Sequence, residues 1–338
     1  VTESSVEQTT SRRGRRIARH VLFLLVTLVS FYFLLPSLLE VFTSWRQLLN
    51  LEPAWVAVAV GVEGLSFLAT WELQRIALQT RGWFAVSTSQ LAGNAFGRII
   101  PGGMAAAGAL QYRMLVRAGL PGRRIASAVT AVSVLLFGTV LALPLLSVPA
   151  ILAGTPVPSG LEQAAFLGAG VFLLMVVAGV AVFVWDAPLV WAGRATEAIL
   201  NRTTRRKRPV SGVADRLQRE RDGLRVAFGA RWQAALLAAA GKWIFDYLAL
   251  VACLRAVGAQ PDPSLVLLAY VAAALLGMIP FTPGGLGFVE AGLTGLLALA
   301  GVGASAAVVA TLAYRLVSFW LPIPAGGLAY GVFRKRYP

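Results

Sequence analysis

Six stretches of this chain, near 20–40, 53–77, 123–147, 164–186, 232–256 and 305–330, are apolar over lengths that match the hydrocarbon thickness of a bilayer. A crossing helix needs roughly 20 such residues, and the bilayer interior offers no water to unpaired backbone groups, so segments of this kind fold as helices. Composition points the same way: 57% of the 338 residues are hydrophobic and only 13% charged, about half the charge of a soluble domain. The expected fold class is an all-α polytopic membrane protein, with about six full transmembrane helices plus two broken or re-entrant helical hairpins in an inverted repeat.

The two hairpins are read from interruptions. One apolar region runs from about Ser87 to Ala118 and breaks at Pro101-Gly102-Gly103; the other runs from about Ser264 to Ala300 and breaks at Thr282-Pro283-Gly284-Gly285. Each arm has only about 13–18 residues, short for a crossing at about 1.5 Å rise per residue. Such arms suit a re-entrant hairpin or a tightly kinked pair of short crossings. Pro101 and Pro283 are 182 positions apart, and at that offset Ala118-Gly119 meets Ala300-Gly301. The spans before the breaks fall roughly into step, and the spans after them carry prolines near the far end: Pro144 in one, Pro322 and Pro324 in the other. Identity between the halves is thin, so the repeat rests on element order and spacing. Three or five crossings separate the span at 53 from the span at 232, according to whether the first hairpin is re-entrant. Either odd number inverts the second half, the plan of secondary transporters whose broken helices meet near the midplane.

Charge placement tests that count. The net charge of +15 comes from cations gathered beside apolar spans: five in the first 19 residues, eleven between Arg194 and Arg231, and Arg334, Lys335 and Arg336 at the end. With a cytoplasmic N-terminus, the loops at 41–52, 148–163, 257–263 and 301–304 fall outside and hold one clear cation, Arg46, besides Arg255 at a span edge. That asymmetry is the positive-inside pattern. It places both termini in the cytoplasm of a multi-pass protein of the cytoplasmic membrane. It also removes nucleic acid as the reason for the basic character, since no folded soluble module is left to bind it. The expected organisation is a basic tail 1–19, one transmembrane domain 20–330 with repeat halves 20–147 and 164–330 and a basic linker 187–231, and a basic tail 331–338. The first span follows a basic segment like a signal peptide's but is long and lacks a small-x-small cleavage site, so it reads as an uncleaved helix. In the linker, Val213, Leu217, Leu224 and Phe228 form a stripe among Arg216, Arg219, Arg221 and Arg225. This predicts an interfacial amphipathic helix, a connecting elbow or a regulatory switch.

Several chemistries lack raw material. Cys253 is the sole cysteine and His20 the sole histidine, so no intramolecular disulfide, His/Cys metal site or Ser-His-Asp triad can be assembled. No metal, cofactor or enzyme activity is expected, and without a Walker motif ATP is not a direct driver.

Seven ionisable residues fall inside the apolar segments: Glu63, Glu72, Arg98, Lys242, Asp246, Glu290 and Arg315. Buried charge of this kind pairs or lines a wet cavity. Lys242 and Asp246, four apart on one helix, can pair with each other. Glu72, near Arg75, reads as interfacial. Glu63 sits mid-span beside Gly61 and Gly64, where a neighbouring helix can approach. Arg98 lies at the first hairpin tip, where its guanidinium and the free N–H groups after Gly102 and Gly103 suit a phosphate. Glu290, in the second turn after Pro283-Gly284-Gly285, is either a partner for Arg315 or Arg98, or a site for a cationic headgroup or a proton. Arg315 would meet a phosphate or Glu290. The candidate substrate-binding set is therefore Glu63, Arg98, Pro101, Gly102, Gly103, Lys242, Asp246, Pro283, Gly284, Gly285, Glu290 and Arg315.

The segments "GRIIPGGMAAAGALQYRMLVRAG" (Gly97 to Gly119) and "IPFTPGGLGFVEAG" (Ile279 to Gly292) resemble the two signature segments of the lysylphosphatidylglycerol synthase membrane-domain family, also called flippase-like. The likeness runs over roughly residues 20–335. It implies a scaffold that moves a phospholipid, anionic or aminoacylated, between leaflets. The family's founding members carry a C-terminal cytosolic synthase domain; this sequence ends at Pro338, so lysyl transfer is not expected of it. The expected function is an integral membrane lipid flippase or transporter of a phospholipid or lipid-linked headgroup. The alternative is a non-transporting membrane subunit that organises envelope lipid or glycan synthesis; an intramembrane lipid-modifying enzyme is the weakest reading. Beyond the bilayer, a second copy of the chain or an envelope-lipid enzyme are the protein partners these readings allow.

Overall fold

The computed structural model describes residues 51–100, 103–146, 185–203, 211–278 and 283–338, with isolated positions between them. The spans expected near 20–40 and 164–186, the basic tail 1–19, and Pro101, Gly102 and Thr282 lie outside this set, apart from a few isolated positions. Regular structure among the described residues is entirely helical. Eleven α-helices follow one another: α1 Pro53–Ala77, α2 Trp83–Ile99, α3 Gly103–Arg117, α4 Gly122–Ala142, α5 Ala187–Thr203, α6 Val213–Phe228, α7 Trp232–Ala256, α8 Pro263–Met278, α9 Phe288–Leu299, α10 Ala304–Arg315 and α11 Pro322–Arg336. Among the described residues, four continuous helical stretches are long and apolar enough to cross a membrane: Pro53–Ala77, Gly122–Leu146, Gly229–Ala256 and Ala304–Arg336. They fall where the sequence places spans 53–77, 123–147, 232–256 and 305–330, the last running six residues further.

Local chemistry explains the boundaries. Proline opens α1 at its first turn, where the missing N–H would have had no partner. Four helices end in one motif, with paired N–H groups turning back onto the last carbonyls. In α3, Gly119 N–H bonds Val116 O at 3.0 Å and Leu120 N–H bonds Leu115 O at 3.1 Å. The same pattern ends α7 at Gly258 and α9 at Gly301. All three glycines have the left-handed φ (76° to 88°) that the motif requires. Ala118-Gly119 and Ala300-Gly301, matched in the sequence, are thus the same cap on the second arm of each hairpin. The fourth cap, on α1, uses Gln79 at φ 48°.

The chain between α10 and α11 forms a π turn, Leu316–Trp320. Pro322 has no N–H to give the carbonyl of Ser318, and Leu321 N–H reaches five residues back to Leu316 O at 2.9 Å. The prolines read in the sequence therefore loosen the helix at one turn.

Small residues let the helices approach closely. A Cβ at Gly97 would lie 2.7 Å from Gly103 O and 2.8 Å from Ala107 Cβ, and one at Gly93 would lie 2.9 Å from Ala107 O. Helices α2 and α3 are therefore antiparallel and in backbone contact through their glycines. The second hairpin, α8 with α9, is closed by Gly285, whose Cβ would lie 3.1 Å from Gly277 Cα. Gly97→Ala is expected to destabilise the protein by about 1–3 kcal/mol through overpacking, read as a lower thermal midpoint in detergent. Gly108→Ala, with no atom within 4 Å of the added carbon, should raise the midpoint slightly, since alanine in a helix interior is favoured over glycine by about 0.5–1 kcal/mol.

The linker is more structured than the sequence suggested. It holds two helices, α5 and α6, packed where Gly193 meets Ala214 and tied by Val213 N–H to Glu197 Oε1 at 2.6 Å. At the end of α6, Phe228 packs beside the cluster containing Leu73 and Ile125. A 16-residue helix of mostly charged surface was legible; its partner α5 was not, because Ala187–Thr203 lacks a clean period.

Candidate functional site

Four elements bring polar side chains to one interior point. Helix α1 contributes Glu63, Ser66 and Thr70; α2 contributes Gln90, Asn94 and Arg98; α7 contributes Lys242 and Asp246; the end of α10 and the π turn contribute Tyr314, Arg315, Ser318 and Phe319. Each set follows a helical spacing of three or four residues, which puts it on one face. Together they line a cavity of about 270 Å³. A second cavity of about 250 Å³ adjoins it, sharing Arg98, Asp246, Tyr314, Arg315 and Phe319, and is otherwise mainly apolar, reaching Gly284 and Met278.

Arg98 is held by the loosened turn. Its Nη1 donates to Ser318 O at 2.5 Å and Phe319 O at 2.7 Å. Ser318 O is the carbonyl that Pro322 leaves without an α-helical partner, so a cation takes the place of a missing amide. The guanidinium also lies over the Phe319 ring, 5.0 Å from its centroid, while Arg315 lies 4.1 Å from the same centroid. One ring thus accepts two cations, each a favourable contact, and holds two like charges near each other.

Arg315 has an anionic partner. Its Nε donates to Glu290 Oε1 at 2.6 Å, with both side chains about 9% exposed. Glu290 Oε2 accepts from Gly287 N–H at 2.7 Å, closing the first turn of α9 as a capping-box glutamate does. Arg315 Nη2 reaches Gly284 O at 3.2 Å. Gly284, at φ 59°, sits against the Phe319 ring, and a Cβ there would lie 3.5 Å from Arg98 O. The end of α2 therefore meets the second glycine-rich break, at the point where the arginines meet the π turn.

Asp246 is fully engaged. It accepts from Lys242 Nζ at 2.8 Å, Tyr270 OH at 2.9 Å and Tyr314 OH at 2.8 Å. Glu63 contrasts with it: its Oε2 is buried and without a hydrogen-bond partner, as is Asn94 Oδ1, and both residues line the first cavity. Buried acceptors left open are costly, so these two are poised for a donor that enters the cavity. Among the described residues no three His, Cys, Asp or Glu side chains gather as metal ligands would.

The family model for the lysylphosphatidylglycerol synthase TM region matches residues 19–326. The chain belongs to that family. Three proteins named UPF0104 membrane protein, from Methanothermobacter thermautotrophicus (strain Delta H), are similar to parts of it: 33% identical over 96 residues, 39% over 89 and 30% over 87. Each match takes in 26–28% of this chain and 25–27% of the relative, so the chain spans about a quarter of the length of the curated relatives it matches. The lysylphosphatidylglycerol synthase TM region match covers both glycine-rich breaks and every side chain of the two cavities. A multi-pass membrane protein follows from the family and the apolar helices together.

In this member of the lysylphosphatidylglycerol synthase TM region family, Glu63, Arg98, Lys242, Asp246 and Arg315 come together on the first cavity. Gly284 lines the second, whereas Gly103, Gly285 and Glu290 line neither. Gly103 and Gly285 close the hairpins, and Pro283 opens the short turn at the second break. Glu290 is the third residue of α9, a turn earlier than expected, because the helix starts only at Phe288. Glu72 pairs with Arg75 at 2.7 Å and with Arg231 at 3.2 Å. Sequence reading missed Gln90 and Asn94, although their four-residue spacing with Arg98 was a usable signal. Tyr270, Tyr314 and Phe319 carried none, since aromatic residues are common in apolar helices and their partners are distant in the chain.

Proposed function

We propose that the protein is a lipid flippase that moves a phospholipid or lipid-linked headgroup between the leaflets of the cytoplasmic membrane. The observation that carries this reading is the convergence of Arg98, Arg315 and Lys242 on a polar cavity within apolar helices, where the end of α2 meets the second glycine-rich break. Lys242 is paired with Asp246 and Arg315 with Glu290, so among the described residues Arg98 is the one cation of the three without an ion-pair partner, and it is the charge left to meet an anionic ligand. A guanidinium pair suits phosphate, which it grips through charge-assisted, geometrically matched hydrogen bonds. Glu63 Oε2 and Asn94 Oδ1 would accept from the headgroup's hydroxyl or ammonium donors. The second, apolar cavity would take the root of the acyl chains.

The two halves are read as an inverted repeat with both termini cytoplasmic. The shared glycine caps at Gly119 and Gly301 and the matched breaks support that arrangement. Movement would come from rocking one half against the other at the hairpin tips, with a proton, the membrane potential or lipid mass action as driver.

The test is reconstitution into vesicles carrying labelled phospholipid, with a membrane-impermeant quencher reporting each leaflet. Wild-type protein is expected to equilibrate the label faster than empty vesicles. Lys242→Met, which strips a cation from the wall, is expected to slow it by about tenfold. Label that stays put with wild-type protein, together with copurification of a lipid or glycan synthase, would favour a non-transporting organising subunit instead.

A further inference from the structure

A third cavity, of about 490 Å³, opens far along the sequence and the fold from the central site. It lies where the end of α1, the start of α4 and helix α6 meet, and is lined by Gln79, Arg123, Arg124, Ser127, Arg219 and Asp222 among others. Three arginines face one carboxylate. That carboxylate is already engaged, since Arg221 Nε approaches Asp222 Oδ1 at 3.3 Å. Among the described residues, Arg123, Arg124 and Arg219 enter no ion pair. Arg123 and Arg124 also stand in the first turn of α4. The first intrahelical bond of α4 is Ile125 N–H to Pro121 O, at 3.1 Å. The N–H groups of Gly122, Arg123 and Arg124 therefore have no partner within the helix. Pro121 stands at the N-cap and offers no side-chain cap.

The α1 cap borders the same cavity. Three of the four equivalent caps place glycine at the left-handed position; here Gln79 takes it, the one non-glycine residue of positive φ among the described residues. Gln79 belongs to the wall of this cavity.

The geometry points to a second anion site, built for a phosphate group and distinct from the proposed translocation cavity. Arginine forks and helix N-terminal amides both recognise phosphate oxygens. The ligand is either the phosphate of an anionic phospholipid headgroup or that of a small soluble phosphate ester. Helix α6 belongs to the segment that joins the two halves. An occupied site would tie its Arg219 to Arg123 and Arg124 at the start of α4, fixing the linker against the first half. The site does not rest on the flippase reading.

The experiment uses the full chain in nanodiscs and follows thermal unfolding. One arm raises the mole fraction of phosphatidylglycerol in phosphatidylcholine discs; the other titrates sn-glycerol 3-phosphate against discs of phosphatidylcholine alone. The expected result is a saturable rise in midpoint in at least one arm. Response to phosphatidylglycerol identifies a headgroup, and response to glycerol phosphate a soluble ester. R124Q/R219Q should need roughly tenfold more of the active anion. R194Q/R216Q removes the same charge from exposed positions outside the cavity and should respond as wild type. No rise in either arm overturns the site. So does an unshifted response in R124Q/R219Q, or an equal loss in R194Q/R216Q, which would make the effect a diffuse surface field.

Discussion

Arg98→Ala is expected to reduce lipid translocation by about 100-fold or more, and Pro322 supplies the means of separating its two roles. Hydrogen bonds to a charged group contribute about 1.5–3 kcal/mol each, and each 1.36 kcal/mol is about tenfold in rate, so losing two to a transiting phosphate predicts that size. The same side chain holds Ser318 O and Phe319 O, and alanine would leave those carbonyls short of a donor at about 1–3 kcal/mol each. A loss of activity alone could therefore be a loss of structure. Pro322→Ala restores the N–H that Ser318 O lacks. R98A/P322A should regain much of the thermal midpoint lost by R98A while translocation stays at the R98A level. Recovery of both would reduce Arg98 to a brace for the π turn. Arg98→Lys should fall between, because an ammonium can reach a carbonyl but lacks the planar fork.

What was legible in advance follows from how far apart the determinants lie in the chain. The spans at 53–77 and 232–256 were found almost to the residue, since length, apolarity and flanking charge are local properties. The breaks were found because proline and glycine disrupt a helix wherever they stand. Charged candidates stood out by being rare in apolar surroundings, and five of them proved to share one cavity wall. The remainder depended on tertiary contact. Nothing near Ser318 in the sequence says that its carbonyl will be met by Arg98, 220 residues earlier. Asp246 gives no local hint that two tyrosines will saturate it along with Lys242. Asn94 passes as an ordinary polar residue until its neighbour across the cavity is known to be Glu63. Helix α5 was missed for a different reason: its packed face is marked by Leu189 and Gly193 while the larger apolar Trp191 and Ile199 remain exposed, so its hydrophobic residues do not trace the buried side.

The Glu290–Arg315 pair carries the second large expectation. Breaking a buried ion pair from one side strands the other charge, at about 3–5 kcal/mol. Glu290→Gln isolates that effect, because the amide oxygen can still accept from Gly287 N–H and keep the α9 cap. Arg315→Met keeps bulk over Phe319 while removing the charge. Both single variants should lose stability heavily, and E290Q/R315M should be more stable than the sum of the two losses by about 1–3 kcal/mol. Translocation divides the partners where stability does not. Arg315 lines both cavities and Glu290 neither, so E290Q, assayed below its lowered midpoint, should still move lipid, whereas R315M and the restabilised double variant should not. A well-folded E290Q that moves none would put the carboxylate itself on the transport path, as a site for a proton or a cationic group. An E290Q/R315M protein that moved lipid at the wild-type rate would show that the pair only neutralises itself and that Arg98 meets the phosphate without a second guanidinium.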